Sequence, residues 1–170
     1  MRTLLIVRHA KSSWKQDDIP DHDRPLKRRG KRDARALGLH LREQKLIPQL
    51  VICSTAKRAQ QTAKLMAEAA GFVGEILLEP TLYEAGPTSY IRSLQSIDES
   101  YQRVLVVGHN PGLEILLKVL TGEAYWLTTA ALACVELPIS AWPETQEYVG
   151  GRLVSLWSPK QVQGNEAGTL

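Results

Sequence analysis

The sequence predicts an α/β fold: a three-layer α/β/α sandwich around a mostly parallel sheet with one antiparallel strand. Three observations carry this. Leu4-Leu5-Ile6-Val7, Leu50-Val51-Ile52-Cys53 and Val104-Leu105-Val106-Val107 are short apolar runs of the kind buried on both faces of a parallel sheet. Between them lie stretches whose apolar residues recur at three- and four-residue steps, the period of amphipathic helices. The first and third runs both end on histidine, His9 and His109, at the carboxyl edge where open α/β sheets gather ligands.

Each element has its own signal. The first strand leads into a polar loop from Lys11 to Pro25, marked by Pro20 and the cluster Asp17-Asp18-Ile19-Pro20-Asp21-His22-Asp23. That acidic cluster with its histidine invites a metal site, but its spacing is not that of a compact ligand set, and loop solvation with helix capping accounts for it. Leu26, Gly30, Ala34, Leu37 and Leu41 then trace a helix. Its opposite face carries Lys27, Arg28, Arg29, Lys31, Arg32 and Arg35 against Asp33 alone. After the second strand, Ser54 or Thr55 caps a helix striped by Ala59, Ala63, Met66 and Ala70 and stopped by Gly71. Glu75 to Glu79 is a short strand, Tyr83 to Pro87 a turn, and Ser89 to Ile97 a helix. Arg103 to Gly108 is the strongest strand. Pro111 takes the first position of a helix whose face is Leu113, Leu116, Leu117 and Leu120. Ala131 to Leu137 and Gly151 to Trp157 are two strands with little helix between them, which makes one of them antiparallel.

The chain of 170 residues suffices for one domain that buries about 70% of its extended surface. That domain is expected over 1–158, with a flexible tail over 159–170 where Pro, Gln, Gly and Asn dominate. With 21 basic and 18 acidic residues the net charge is +3, which suits an anionic ligand without demanding nucleic acid. No aromatic residues interleave the basic helical face, which also argues against nucleic acid. Cys53 and Cys134 sit in apolar stretches without metal spacing, so buried free thiols in a reducing, cytoplasmic compartment are expected. The apolar run before Arg8 is too short for a signal-peptide core, and none approaches the roughly 20 residues of a membrane span.

Four motifs in order, Arg8-His9-Ala10, Ser54-Thr55-Ala56-Lys57-Arg58-Ala59-Gln60-Gln61-Thr62-Ala63, Leu82-Tyr83-Glu84-Ala85-Gly86 and Gly108-His109, resemble the histidine phosphatase (phosphoglycerate mutase-like) superfamily. Within it the chain is most similar to the short SixA branch of phosphohistidine phosphatases, and the resemblance runs nearly to Ser158. It implies that His9 is the nucleophile, attacking phosphorus through a neutral ring nitrogen. It implies further that Arg8, Arg58 and His109 hold the three non-reacting oxygens, with Ser12 adding a hydroxyl contact. Glu84 becomes the proton donor to the leaving group and then the base for water. No metal or other cofactor is required, and inorganic phosphate is the product. Two departures stand out: Ala10 replaces the usual Gly, and Lys27 replaces the Thr that commonly opens the following helix, which loses a cap.

The resemblance leaves the substrate to be argued. Longer relatives carry insertions that roof the site, whereas only the short stretch between Gly86 and Val104 is available here. An open site favours phosphohistidine on a protein. A small-molecule phosphomonoesterase with the same mechanism is the alternative. A non-catalytic phosphohistidine-binding module is a third reading, but it would need neither nucleophile nor acid. The basic face of Lys27 to Arg35 is most simply solvated surface, and otherwise steers an acidic or phosphorylated partner.

Overall fold

Alternation along the first strand decides where the helices go. In β1 (Arg2–Arg8), Leu4 and Ile6 face one side of the sheet and Leu5 and Val7 the other, and all four are fully buried. The computed structural model, which describes residues 1–15 and 17–166, adds β2 (Leu50–Ser54), β3 (Glu75–Glu79), β4 (Arg103–Gly108), β5 (Leu132–Leu137) and β6 (Arg152–Trp157). Their order is β3-β2-β4-β1-β5-β6. β5 runs antiparallel to both its neighbours and the remaining pairs are parallel, so a single strand is reversed, as the short β5–β6 connection implies.

Helices α1 (Arg28–Glu43) and α2 (Lys57–Ala70) cover one face, packing Leu37, Leu41, Ala63 and Met66 onto Leu5, Val7 and Val51. Helices α3 (Pro87–Gln95) and α4 (Gly112–Thr121) cover the other with Tyr90, Leu94, Leu113 and Leu117. Each fully buried leucine contributes about 1.5–3 kcal/mol relative to exposure. Trp142 is fully buried on this second face, and its indole N–H donates to the Tyr101 carbonyl at 2.7 Å. Cys53 and Cys134 are free and buried, and burial pushes the Cys53 thiol up to about 12. Among the described residues no helix is long and apolar enough to cross a membrane.

Several boundaries differ from the sequence reading. α2 is not capped by Ser54 or Thr55: its N-cap is Ala56, and the Ser54 hydroxyl instead accepts from the Ala56 N–H at 3.3 Å. Pro111 is the N-cap of α4 and not its first residue. α3 opens at Pro87, a favoured first-turn proline. Lys27 caps α1 with no side-chain hydrogen bond, as its replacement of a hydroxyl residue implies. From Ser158 onward the chain does not fray at once. Pro159–Glu166 forms α5, which buries Val162 and lies against α1, where the Gln163 amide donates to Asp33 at 2.7 Å. Docking overrides a weak local helix signal there; the rest of the expected tail, 167–170, lies outside the described residues.

Candidate active site

The parallel register of β1 and β4 sets Arg8 opposite Gly108, so the two strands deliver their terminal residues side by side. The His9 N–H donates to the Gly108 carbonyl at 3.0 Å, and the two imidazole rings lie 5.1 Å apart between centroids, tilted by 52°. The first turn of α2 adds Arg58, and the loop after β1 adds Ser12 and Arg24. Arg8, His9, Ser12, Arg24, Arg58 and His109 line one open hollow of about 230 Å³.

His9 is 8% exposed, and its Nδ1 lies 2.8 Å from the Ala10 carbonyl oxygen. A carbonyl only accepts, so Nδ1 carries the proton and Nε2 the lone pair. Burial, aided by the charges of Arg58, Arg8 and Arg24, pulls the His9 pKa down to about 4. His109 is held down to about 3, first by burial and then by His9 and Arg58. Both rings are therefore neutral at physiological pH, and the positive charge of the hollow comes from its three guanidinium groups and Lys11. The His109 Nε2 lies 2.8 Å from the Ser54 hydroxyl, while its Nδ1 is buried without a partner among the described residues.

The guanidiniums are held by groups that sequence reasoning missed. Asp21 is the hub. Its carboxylate accepts from Arg24 Nε at 3.0 Å, from Arg58 at 3.1 Å and from the Tyr83 hydroxyl at 2.6 Å, and its carbonyl accepts from Arg58 at 2.7 Å. These partners, the Tyr83 hydroxyl foremost, keep the Asp21 carboxyl down at about 2. Arg24 also donates to the Ser12 hydroxyl at 2.8 Å and stacks its guanidinium 3.4 Å from the centroid of Trp14. Arg8 donates to the Leu127 carbonyl at 2.9 Å. That carbonyl also takes the Asn110 amide, which donates in turn to Glu114. Asp21 and Arg24 stand in an i, i+3 relation in a proline-flanked loop, a faint local signal; Tyr83 gave none that pointed to residue 21.

Glu84 is not in this hollow. It lines an adjoining one of about 360 Å³ that shares His109 and Asn110. It is exposed and sits at φ 53°, in the left-handed region that ordinary residues avoid. Gly112 lets this turn come close, since a Cβ there would overlap the Ala85 carbonyl. Ala10 is fully buried with Leu26, Ala34 and Ala130, so its methyl fills a small cluster behind the site. His22, from the acidic loop, points its Nε2 at the Thr55 hydroxyl at 2.9 Å and packs edge-on against Tyr83.

The model of the histidine phosphatase superfamily (branch 1) matches residues 4–91. An uncharacterized chloroplastic protein of Arabidopsis thaliana is 32% identical over 154 residues, 84% of this chain and 70% of that protein. An uncharacterized protein of Mycobacterium tuberculosis is 38% identical over 130 residues, 75% of this chain and 76% of its own length. Among solved structures, the protein histidine phosphatase SixA complexed with tungstate superposes with a TM-score of 0.79 at 26% identity, covering 93% of this chain and 97% of that one.

Proposed function

The chain belongs to the histidine phosphatase superfamily and is a phosphatase, and from that premise we propose that it removes phosphate from phosphohistidine on a protein, with His9 as nucleophile. One observation carries the mechanism: the His9 Nδ1 proton is committed to the Ala10 carbonyl, so the Nε2 lone pair is the free end of a neutral ring beside three arginines. Nε2 attacks phosphorus as the bond from phosphorus to the substrate imidazole breaks. The bonding pair leaves with that nitrogen, which takes a proton from Glu84. Water then attacks phospho-His9, Glu84 recovers a proton from it, and the pair in the P–Nε2 bond returns to His9 as inorganic phosphate departs.

Arg8, Arg24 and Arg58 balance the charge on the three oxygens that do not react, where phosphoryl transfer gains most from fixed cations. A Ser54 hydroxyl that donates to His109 Nε2 leaves Nδ1–H as a further oxygen donor. Ser12 contributes through Arg24, whose guanidinium it orients, and by its own place in the wall. The scheme uses no metal or other cofactor.

Three points support a protein substrate. The stretch after Gly86 is spent on α3, whose Tyr90, Ile91 and Leu94 are buried in the core and do not roof the hollow. A phosphorylated imidazole leaves more readily than an alcohol, which suits a Glu84 that is exposed and sits outside the phosphate hollow. The SixA neighbour, named as a protein histidine phosphatase, holds tungstate, a tetrahedral oxyanion like phosphate. The two free, buried thiols support a reducing, cytoplasmic setting.

The test is a substrate panel on the purified protein: a peptide bearing phosphohistidine against a phosphoserine peptide and 3-phosphoglycerate. We expect kcat/KM to favour phosphohistidine by about 100-fold or more, which is about 2.7 kcal/mol of transition-state preference. Preference for 3-phosphoglycerate overturns the protein reading in favour of a small-molecule phosphatase, and preference for the phosphoserine peptide overturns the phosphohistidine reading. Labelled phosphate trapped on His9 distinguishes an enzyme from a binding module.

A further inference from the structure

We propose that the amino-terminal half of α1 and the groove beside it form a docking surface for an acidic protein segment flanking the phosphorylated side chain. This rests on the phosphohistidine reading and specifies its substrate class. Arg28, Arg29, Lys31, Arg32 and Arg35 are all exposed, while Asp33, the acidic residue among them, is 4% exposed and committed to Gln163 and to Arg29 and Arg32 at 3.9 Å. Arg28, Lys31 and Arg35 make no ion pair among the described residues and stand at i, i+3 and i+7, one stripe of the helix.

A solvated helix would not choose this pattern. The first turn of α1 has no acidic residue and no side-chain cap, so its cations face the positive end of the helix dipole. An anionic partner relieves the conflict. The face is also joined to the phosphate hollow. The Lys27 N–H donates to the Lys11 carbonyl at 2.8 Å, Ser12 bridges to Leu26, and a Cβ on Gly30 would overlap the Lys11 carbonyl. Lys11 and Trp14 line the hollow, while Ser13, Lys15, Lys27 and Arg28 line a groove of about 480 Å³ on the other side of the same segment. Trp14, which lines the hollow and is 67% exposed, supplies the aromatic surface that interfaces favour. Cations thus stand in the hollow (Lys11), in the groove (Lys15, Lys27, Arg28) and along the helix (Lys31, Arg35). A protein segment fits better than nucleic acid because the stripe itself carries no stacking side chain.

The experiment uses two synthetic peptides, each with one phosphohistidine, one flanked by glutamates and the other by lysines. It compares the wild-type protein with R28E/K31E/R35E, whose altered side chains are all exposed and none of which lines the hollow. For the wild type at low salt we expect kcat/KM about tenfold or more higher for the acidic peptide, mainly through KM, falling below about threefold at 0.5 M salt as screening shortens. The triple variant loses the preference but hydrolyses p-nitrophenyl phosphate within about twofold of wild type. R28K/R35K, which keeps the charge, retains it. Equal rates on both peptides, or a preference that survives R28E/K31E/R35E, overturn the docking surface while leaving the phosphohistidine reading intact. Turnover of p-nitrophenyl phosphate with neither peptide cleaved overturns both. Tighter binding of a single-stranded oligonucleotide than of the acidic peptide gives the face to nucleic acid and overturns the proposal.

Discussion

Two hollows meet at His109 and Asn110, and they are built in opposite ways. In the phosphate hollow each arginine is tied down: Arg8 by the Leu127 carbonyl, Arg24 by Asp21 and Ser12, Arg58 by the Asp21 carboxylate and carbonyl. In the neighbouring hollow the acid candidate, Glu84, is exposed on a left-handed turn and makes no hydrogen bond among the described residues. Fixed dipoles and charges stabilise developing charge without reorganising, so precision is concentrated where the transferred phosphoryl group sits. The leaving-group side is left open. That division suits a substrate whose leaving group departs easily and arrives attached to something large.

The comparison breaks first at His9. Replacing it by Ala should abolish turnover, a loss of about 10⁴-fold or more in kcat, with no label trapped on the variant in a gel run and fixed at alkaline pH, where the wild-type phosphohistidine survives. Residual hydrolysis near the wild-type rate would place the nucleophile elsewhere. Next, Arg58→Ala should lower kcat/KM by about 10²–10³-fold, the effect of deleting one donor to the transition-state charge. Asp21→Asn tests the bracing itself. It keeps the shape but removes the charge that orients Arg24 and Arg58, and should cost about tenfold in kcat, with the inhibition constant for inorganic phosphate rising along with it. An unchanged inhibition constant would show that Asp21 does not position the anion site.

That bracing is also where the sequence was least legible. The central strands were readable because burial on two faces writes continuous apolar runs, and Arg103–Gly108 falls where expected; Glu75–Glu79 also does, as a largely exposed edge strand whose signal is the short Ile76-Leu77-Leu78 run. His9 and His109 were readable because each ends such a run. Asp21 and Tyr83 were not: the hydrogen bond between them spans 62 residues of sequence, and neither has a local pattern that names the other. Arg24 looked like one more charge in a polar loop. α5 was missed because Gly164 and a lone Val162 give little helical signal, and its order comes from α1 beneath it.

Titration tests the phosphate hollow further. Both imidazoles are held neutral, His9 down to about 4 and His109 down to about 3, against an ordinary value near 6.5. The unfolded chain therefore binds more protons than the folded one below about pH 6.5, so stability should fall as pH drops from there toward about 3. Asp21, depressed to about 2, adds stability that is present above its ordinary range and is lost as pH falls through about 2. Chemical denaturation across pH 3 to 7 reads the sum. A bound oxyanion such as tungstate should raise the melting temperature. A flat stability profile between pH 4 and 6.5 would contradict the burial of the two rings.

The finest distinction is at Glu84 itself, where chemistry and backbone strain can be separated. Glu84→Gln removes the proton donor and keeps the turn. On phosphohistidine it should cost less than about threefold, and on a phosphoserine peptide, whose alkoxide is a poor leaving group, about tenfold or more. Equal losses on both would mean that the acid matters as much for the easy leaving group as for the hard one. Glu84→Gly removes the donor and also relieves a residue at φ 53°. It should match Glu84→Gln in rate yet gain up to about 1 kcal/mol in stability, since glycine adopts the left-handed region without the penalty of a Cβ. If Glu84→Gly is instead less stable than the wild type, the turn is held by the glutamate side chain. The leaving-group hollow would then be braced after all, like its neighbour.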